Sequence, residues 1–265
     1  MIKISIIVVL AFNICCSGCS NPQVNKPAEA STECVVVDSI PDGAKKLIVS
    51  YPSQGLSYAE NKIWFPDSTF IVYDDGIEKD FITKLDDCDI EDMFSMVYER
   101  DNNPPKYLSD SGRGRNEELY KKMYGINESA VRRNLVKVNW FGQKILFTSV
   151  NDANKHLEDV AKELERLPEL RKYLINASTF YWRKVRGANR QSAHSYGIAI
   201  DINTKYSNYW LWSNPNSSET DTLKYENRIP YEIVEVFEKY GFIWGGHWYH
   251  YDTMHFEYRP ELLND

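Results

Sequence analysis

Two short motifs constrain this chain more than anything else in it: S-A-H-S-Y-G-I-A-I-D over Ser192–Asp201, and Y-D-T-M-H-F-E-Y over Tyr251–Tyr258. From Ile198 onward, Ile198, Ile200 and Ile202 alternate with Ala199, Asp201 and Asn203, the period-2 pattern of a strand with one buried face. Asp201 therefore points away from the isoleucines. A straight strand would carry His194 and Asp201 on opposite sides, so the chain must bend between them if the two are to meet, and Gly197 is the residue suited to the bend. In the second motif His255 and Glu257 alternate with Phe256 and Tyr258. His255 opens a strand, and Asp252 lies in the turn that feeds it.

Two imidazoles and a carboxylate with one open position is the donor set that catalytic zinc uses, and His194, Asp201 and His255 supply it. Asp252, close to a ligand without being one, stands where a general base belongs. The chain has five histidines. Three of them, His247, His250 and His255, crowd the second motif, and His250 is the main rival of His255 for the third ligand position.

The pattern S-x-H-x-x-G-x-A-x-D followed by D-x-x-H-F-E resembles the zinc peptidases that cut bacterial cell-wall peptides. That group includes the VanY-type D,D-carboxypeptidases and the L-alanyl-D-glutamate endopeptidases of phage lysins and bacilli. The resemblance spans about residues 155 to 263. It implies an α+β fold, an antiparallel sheet with flanking helices of the Hedgehog/D,D-peptidase-like type, with Zn2+ on His194, Asp201 and His255. It also implies Asp252 as catalytic base and Ser192 as a substrate-binding residue. Arg183 becomes the cation that binds substrate or steadies the developing oxyanion, with Arg186 and Arg190 as neighbouring rivals. An ordinary aspartic acid donates protons poorly at neutral pH, so this role calls for a raised pKa at Asp252.

The carboxypeptidase branch usually carries Glu at the position of Asp252 and W-H around the last ligand. The departure favours L-alanyl-D-glutamate endopeptidase activity on peptidoglycan stem peptides. D-alanyl-D-alanine carboxypeptidase activity on the same site is the alternative. A non-catalytic, zinc-containing wall-binding module is a third reading, because signalling proteins of this fold type keep the metal and act by binding.

Around this centre the chain divides into four stretches. Residues 1–19 read as a signal peptide, with Lys3 before the apolar run Ile4–Ile14 and then Ser17-Gly18-Cys19, which resembles a lipoprotein cleavage site; Cys16 is a rival. The expected location is the cell envelope, with membrane contact only through a lipid anchor. Residues 20–33, polar with two prolines, form a tether. Cys34 and Cys88 would then be the remaining cysteines, paired or free. A net charge of −7 argues against a nucleic-acid partner.

Residues 34–150 form an N-terminal α+β segment or lobe. Strands are expected at Leu47–Tyr51, Lys62–Phe65 and Thr69–Tyr73, and helices at Ile90–Tyr98 and Asn116–Tyr124. A hairpin follows over Val136–Phe141 and Lys144–Val150. Arg113 and Arg115 read either as carboxylate binders or as solvated loop residues. Residues 151–265 form the metallopeptidase domain, with helices over Ala153–Leu167 and Pro230–Tyr240 and a strand over Thr179–Val185. In the second helix Ile233, Val234 and Phe237 face inward and Glu232, Glu235 and Glu238 outward. Trp210 and Trp212 lie in the loop 203–227, where they either wall a groove or cover the core. Gly245-Gly246 reads as a flexible approach to the second motif.

Overall fold

The computed structural model describes residues 39–264. The expected signal peptide and tether, and Cys34, lie outside the described residues. Within the compact unit Asp38–Asp265 the helices and strands follow in chain order. They are α1 (Asp42–Ser50), β1 (Ser57–Ala59), β2 (Lys62–Trp64), β3 (Phe70–Val72), α2 (Phe81–Asp86), α3 (Glu117–Tyr124), α4 (Glu128–Arg133), β4 (Leu135–Trp140) and β5 (Gln143–Thr148). Then come α5 (Ala153–Leu164), α6 (Arg171–Leu174), β6 (Ala199–Asp201), α7 (Trp210–Ser213), α8 (Tyr231–Lys239), β7 (Phe242–Trp244) and β8 (His255–Tyr258). The content is α+β, and all three sheets are antiparallel: β1-β2-β3, the hairpin β4-β5, and β6-β8-β7. No helix among the described residues is long and apolar enough to cross a membrane.

The third sheet carries the site. Its central strand β8 places His255 opposite Asp201 and Glu257 opposite Ala199 on β6. Opposed residues of an antiparallel pair share a face, so Asp201, His255 and Glu257 project together while Ile200 and Phe256 project to the other side. That other side is sealed by α8, where Phe237 stacks on Phe256 with ring centroids 3.9 Å apart. Ile233, Val234 and Phe237 are fully buried, as their helical spacing predicts. Truncating such a residue as Phe237 to alanine costs about 3–5 kcal/mol, which measures how firmly this layer is held. The α5 helix packs across α8 and the β4-β5 hairpin through Leu157, Val160 and Leu164. Residues 39–150 and 151–264 contribute to one hydrophobic core, in which Ala44, Leu47 and Ile63 join Val160, Ile200 and Phe256.

Several sequence expectations are corrected. Leu47–Ser50 is the end of helix α1 and Tyr51 its cap, not a strand: Ala44, Leu47 and Tyr51 recur at helical spacing and are buried, while the β-favouring Val49 is left 70% exposed. Ile90–Tyr98 is helical only in a single 3-10 turn, Asp92–Phe94. Beyond it Val97 faces solvent and the backbone carbonyl of Met96 is taken by the Ser111 hydroxyl. Thr179–Val185 forms no strand: its ladder is limited to an isolated bridge of Lys184 with Gln191, and side chains take others of its backbone groups. The Ser195 hydroxyl serves Tyr181 and Arg183, and the Thr179 carbonyl accepts from His194. Glu238 is buried rather than outward, accepting from the Tyr98 hydroxyl at 2.7 Å and facing His247 at 3.2 Å.

Candidate metal centre

His194 belongs to a short turn, Ala193–Tyr196, closed by Gly197 at φ 70°. This left-handed residue reverses the chain between His194 and β6, the bend that the seven-residue spacing requires. A side chain there would also meet Leu135, whose Cδ2 lies 2.4 Å from an added Cβ. His255 and Asp201 arrive from opposed positions of β8 and β6. The three side chains converge: His194 Nε2 is 3.1 Å from Asp201 Oδ1, His255 Nδ1 is 3.0 Å from the same oxygen, and the two imidazole nitrogens are 3.2 Å apart.

The donor chemistry fits a metal ion. His194 Nδ1 donates to the Thr179 carbonyl at 2.6 Å, which leaves Nε2 to face the cluster. His255 Nε2 donates to Glu257 at 3.3 Å, which leaves Nδ1 to face it. Each imidazole is thus oriented by an acceptor behind it, the arrangement that fixes tautomer and ring plane at metal sites. Separations of 3.0–3.2 Å also lie near the edge of about 3.3 Å expected for a tetrahedron with bonds of roughly 2.0–2.1 Å. His250, the rival ligand, is held elsewhere. Its Nδ1 lies 2.5 Å from Asp110, and its ring packs edge-on against Trp210.

Electrostatics separates the acids. Burial alone would raise Asp201, but the two imidazoles against it outweigh that effect and hold the carboxyl well below the usual carboxylate range. At Asp252 the balance runs the other way, because the same imidazoles and Arg113 lower it too little to offset the opposing effects. Burial, and then the negative charge of Asp201, push it up to about 7. Its backbone N–H donates to Gly245 at 2.9 Å, and its Oδ1 is buried with no protein partner. Gly245 is a packing glycine and not a flexible one: an added Cβ would stand 2.6 Å from the Asp252 carbonyl oxygen.

The cluster opens into a cavity of about 360 Å³ whose lining includes all six residues singled out in the sequence, Arg183, Ser192, His194, Asp201, Asp252 and His255. Ser192 is buried at the head of the His194 turn, its N–H donating to the Arg183 carbonyl. Arg183 is exposed, with one contact to the Lys184 carbonyl at 3.3 Å. Trp210 is buried and Trp212 is 56% exposed, and both line the cavity.

Arg113 and Arg115 are not solvated loop residues. Arg113 bridges Asp110 and Glu219, and Arg115 clasps Glu257. Glu257 and Arg115 were not identified as a pair from the sequence. For Glu257 a signal existed, since a residue two after His255 on a strand must share its face; for Arg115 none did.

No curated protein and no solved structure matches the chain. Residues 186–258, which contain the three donors, Ser192 and Asp252, match the family model described as D-alanyl-D-alanine carboxypeptidase, and the resemblance to the VanY-type zinc peptidases therefore holds over the residues that build this site.

Proposed function

We propose that the protein is a zinc-dependent peptidase acting on peptidoglycan stem peptides, with the L-alanyl-D-glutamate bond as its first target. The observation that carries this reading is the juxtaposition, in one cavity, of three convergent donors and a buried acid with a free oxygen. His194, Asp201 and His255 would hold the ion, whose contribution when bound is to polarise a carbonyl and to make water acidic near neutral pH. The Asp252 carboxylate accepts a proton from the attacking water and returns it to the leaving amine, a role matched to its raised pKa. Arg183 offers a cation in the same cavity where negative charge develops on the carbonyl oxygen. Ser192 lies beside the first ligand and orients substrate. The fold we infer is the Hedgehog/D,D-peptidase-like arrangement. The leader motif supports an exported, lipid-anchored protein of the cell envelope.

The match to a carboxypeptidase family favours a second reading, removal of a terminal D-alanine on the same site. Mass spectrometry of muropeptides incubated with zinc-loaded protein, beside Asp252→Ala, separates the two. Fragments beginning at D-glutamate support the endopeptidase, and loss of one terminal D-alanine supports the carboxypeptidase. Intact muropeptides with zinc bound would leave the protein a wall-binding module.

A further inference from the structure

The cavity is markedly cationic in a protein of net charge −7. Five arginines line it, Arg113, Arg115, Arg183, Arg186 and Arg190, against two acids, Asp201 in the metal cluster and Asp252 beside it. The two groups of arginines differ. Arg183 and Arg186 are exposed at the rim. Arg113, Arg115 and Arg190 are held with side chains only 11%, 10% and 9% exposed, each anchored from behind by a carboxylate: Glu219 with Asp110, Glu257, and Asp86.

Arg190 sits between the other two. It lines one side pocket with Arg113 and another with Arg115. Its Nε is buried and has no partner, although its Nη1 reaches Asp86. Three guanidiniums gathered with so little water repel one another. Burial first, and then the charges of Arg113 and Arg115, lower the pKa of Arg190, because Asp86 alone does not offset them. An anion entering there would relieve the repulsion and satisfy the orphaned N–H. A planar carboxylate matches the fork of a guanidinium.

We propose that Arg113, Arg115 and Arg190 form an anion subsite beside the His194–Asp201–His255 cluster, which takes a carboxylate of the peptide substrate that has no part in bond cleavage. The subsite rests on the peptidase reading for its ligand. Two of its three arginines lie outside residues 186–258, so the N-terminal segment supplies selectivity to a site built elsewhere.

Calorimetric binding to the chelator-treated full chain tests this without any metal or turnover. The probes are N-acetyl-L-alanyl-D-glutamate and its diamide, with inorganic phosphate as a third arm. The acid should bind at least roughly tenfold tighter than the diamide. Arg190→Gln should abolish that preference, Arg190→Lys should restore part of it, and Lys137→Gln, an equal charge change on an exposed strand position, should keep it. Circular dichroism of each variant reports folding. Equal binding of acid and diamide to the wild type, or a preference that survives Arg190→Gln, overturns the proposal. Phosphate that outcompetes the acid assigns the subsite to a phosphate group and overturns the peptide assignment. Acid preference in the metal-free chain, together with no hydrolysis by the zinc-loaded chain, would sustain the subsite and refute the peptidase.

Discussion

Arg115 and Glu257, 142 residues apart in sequence, meet in a two-point ion pair, Nε to Oε1 at 3.0 Å and Nη2 to Oε2 at 3.1 Å. Glu257 is fully buried and also receives Arg259 Nη1 at 3.2 Å and His255 Nε2 at 3.3 Å. Burial would raise its pKa, but Arg115, the hydrogen bond from His255, and Arg259 hold the group well below the usual carboxylate range. A permanently ionised acceptor behind His255 keeps that ring's other nitrogen aimed at Asp201. The orientation of one proposed metal donor is thereby set in part by a residue of the N-terminal segment.

Glu257→Gln should weaken zinc binding by roughly 10- to 100-fold, the range for loss of an acceptor behind a metal-bound imidazole. Arg115→Met should cost less, because Arg259 still anchors the carboxylate. Competition with a chelating indicator gives both constants. Unchanged affinity in Glu257→Gln would mean that His255 needs no orienting partner.

Zinc uptake should release a proton from His255. Burial would lower the pKa of this imidazole, but its hydrogen bonds to Asp201 and Glu257 prevail and push it up to about 10. The metal must displace that proton, so affinity should keep rising by about tenfold per pH unit beyond pH 8. A histidine near the ordinary value of about 6.5 would instead give a plateau above roughly pH 7.5. Calorimetry at pH 8.5 in buffers of different ionisation enthalpy counts the protons. At that pH Asp252, raised to about 7, is already ionised and adds nothing.

Much of the centre was legible in the sequence because its residues are local to two motifs with a strand's period. His194, Asp201, Asp252 and His255 come from those motifs, and Gly197 stands at the bend their spacing demands. What was not legible depends on partners remote in the chain. Arg115 reads as one arginine in a glycine-flanked loop until Glu257 is placed beside it. Glu238 reads as a solvent-facing residue of α8 until Tyr98 and His247 are brought to it. Thr179–Val185 has the composition of a strand, but it makes only an isolated bridge, and Ser195 and His194 take part of its backbone. Local propensity also misreads α1, where tertiary burial of Ala44 and Leu47 decides against the β-favouring run Ile48-Val49.

Gly197→Ala tests the bend. The residue adopts φ 70°, and the new Cβ would lie 2.4 Å from Leu135 Cδ2. Left-handed strain of about 1–2 kcal/mol adds to the cost of displacing Leu135, so unfolding in urea should show a loss of roughly 2–4 kcal/mol. A variant as stable as the wild type would show that the turn tolerates a side chain.

Asp252→Asn separates the acid's chemistry from its place in the structure. The change keeps the shape, and the backbone bonds of residue 252 to Gly245 and His255 are unaffected. Its buried oxygen has no protein hydrogen bond to lose. It also removes the negative charge that sits beside Asp201, a repulsion the folded protein bears at neutral pH once Asp252 ionises. The variant should therefore be at least as stable as the wild type and should bind zinc with affinity within a few fold. Turnover of a muropeptide should nevertheless fall by roughly 100- to 10,000-fold, the usual contribution of a general base. His255→Ala, by contrast, should lose zinc and activity together. If Asn at position 252 leaves turnover within a few fold of the wild type, proton transfer runs through another group and the raised pKa of Asp252 reflects only its burial beside Asp201.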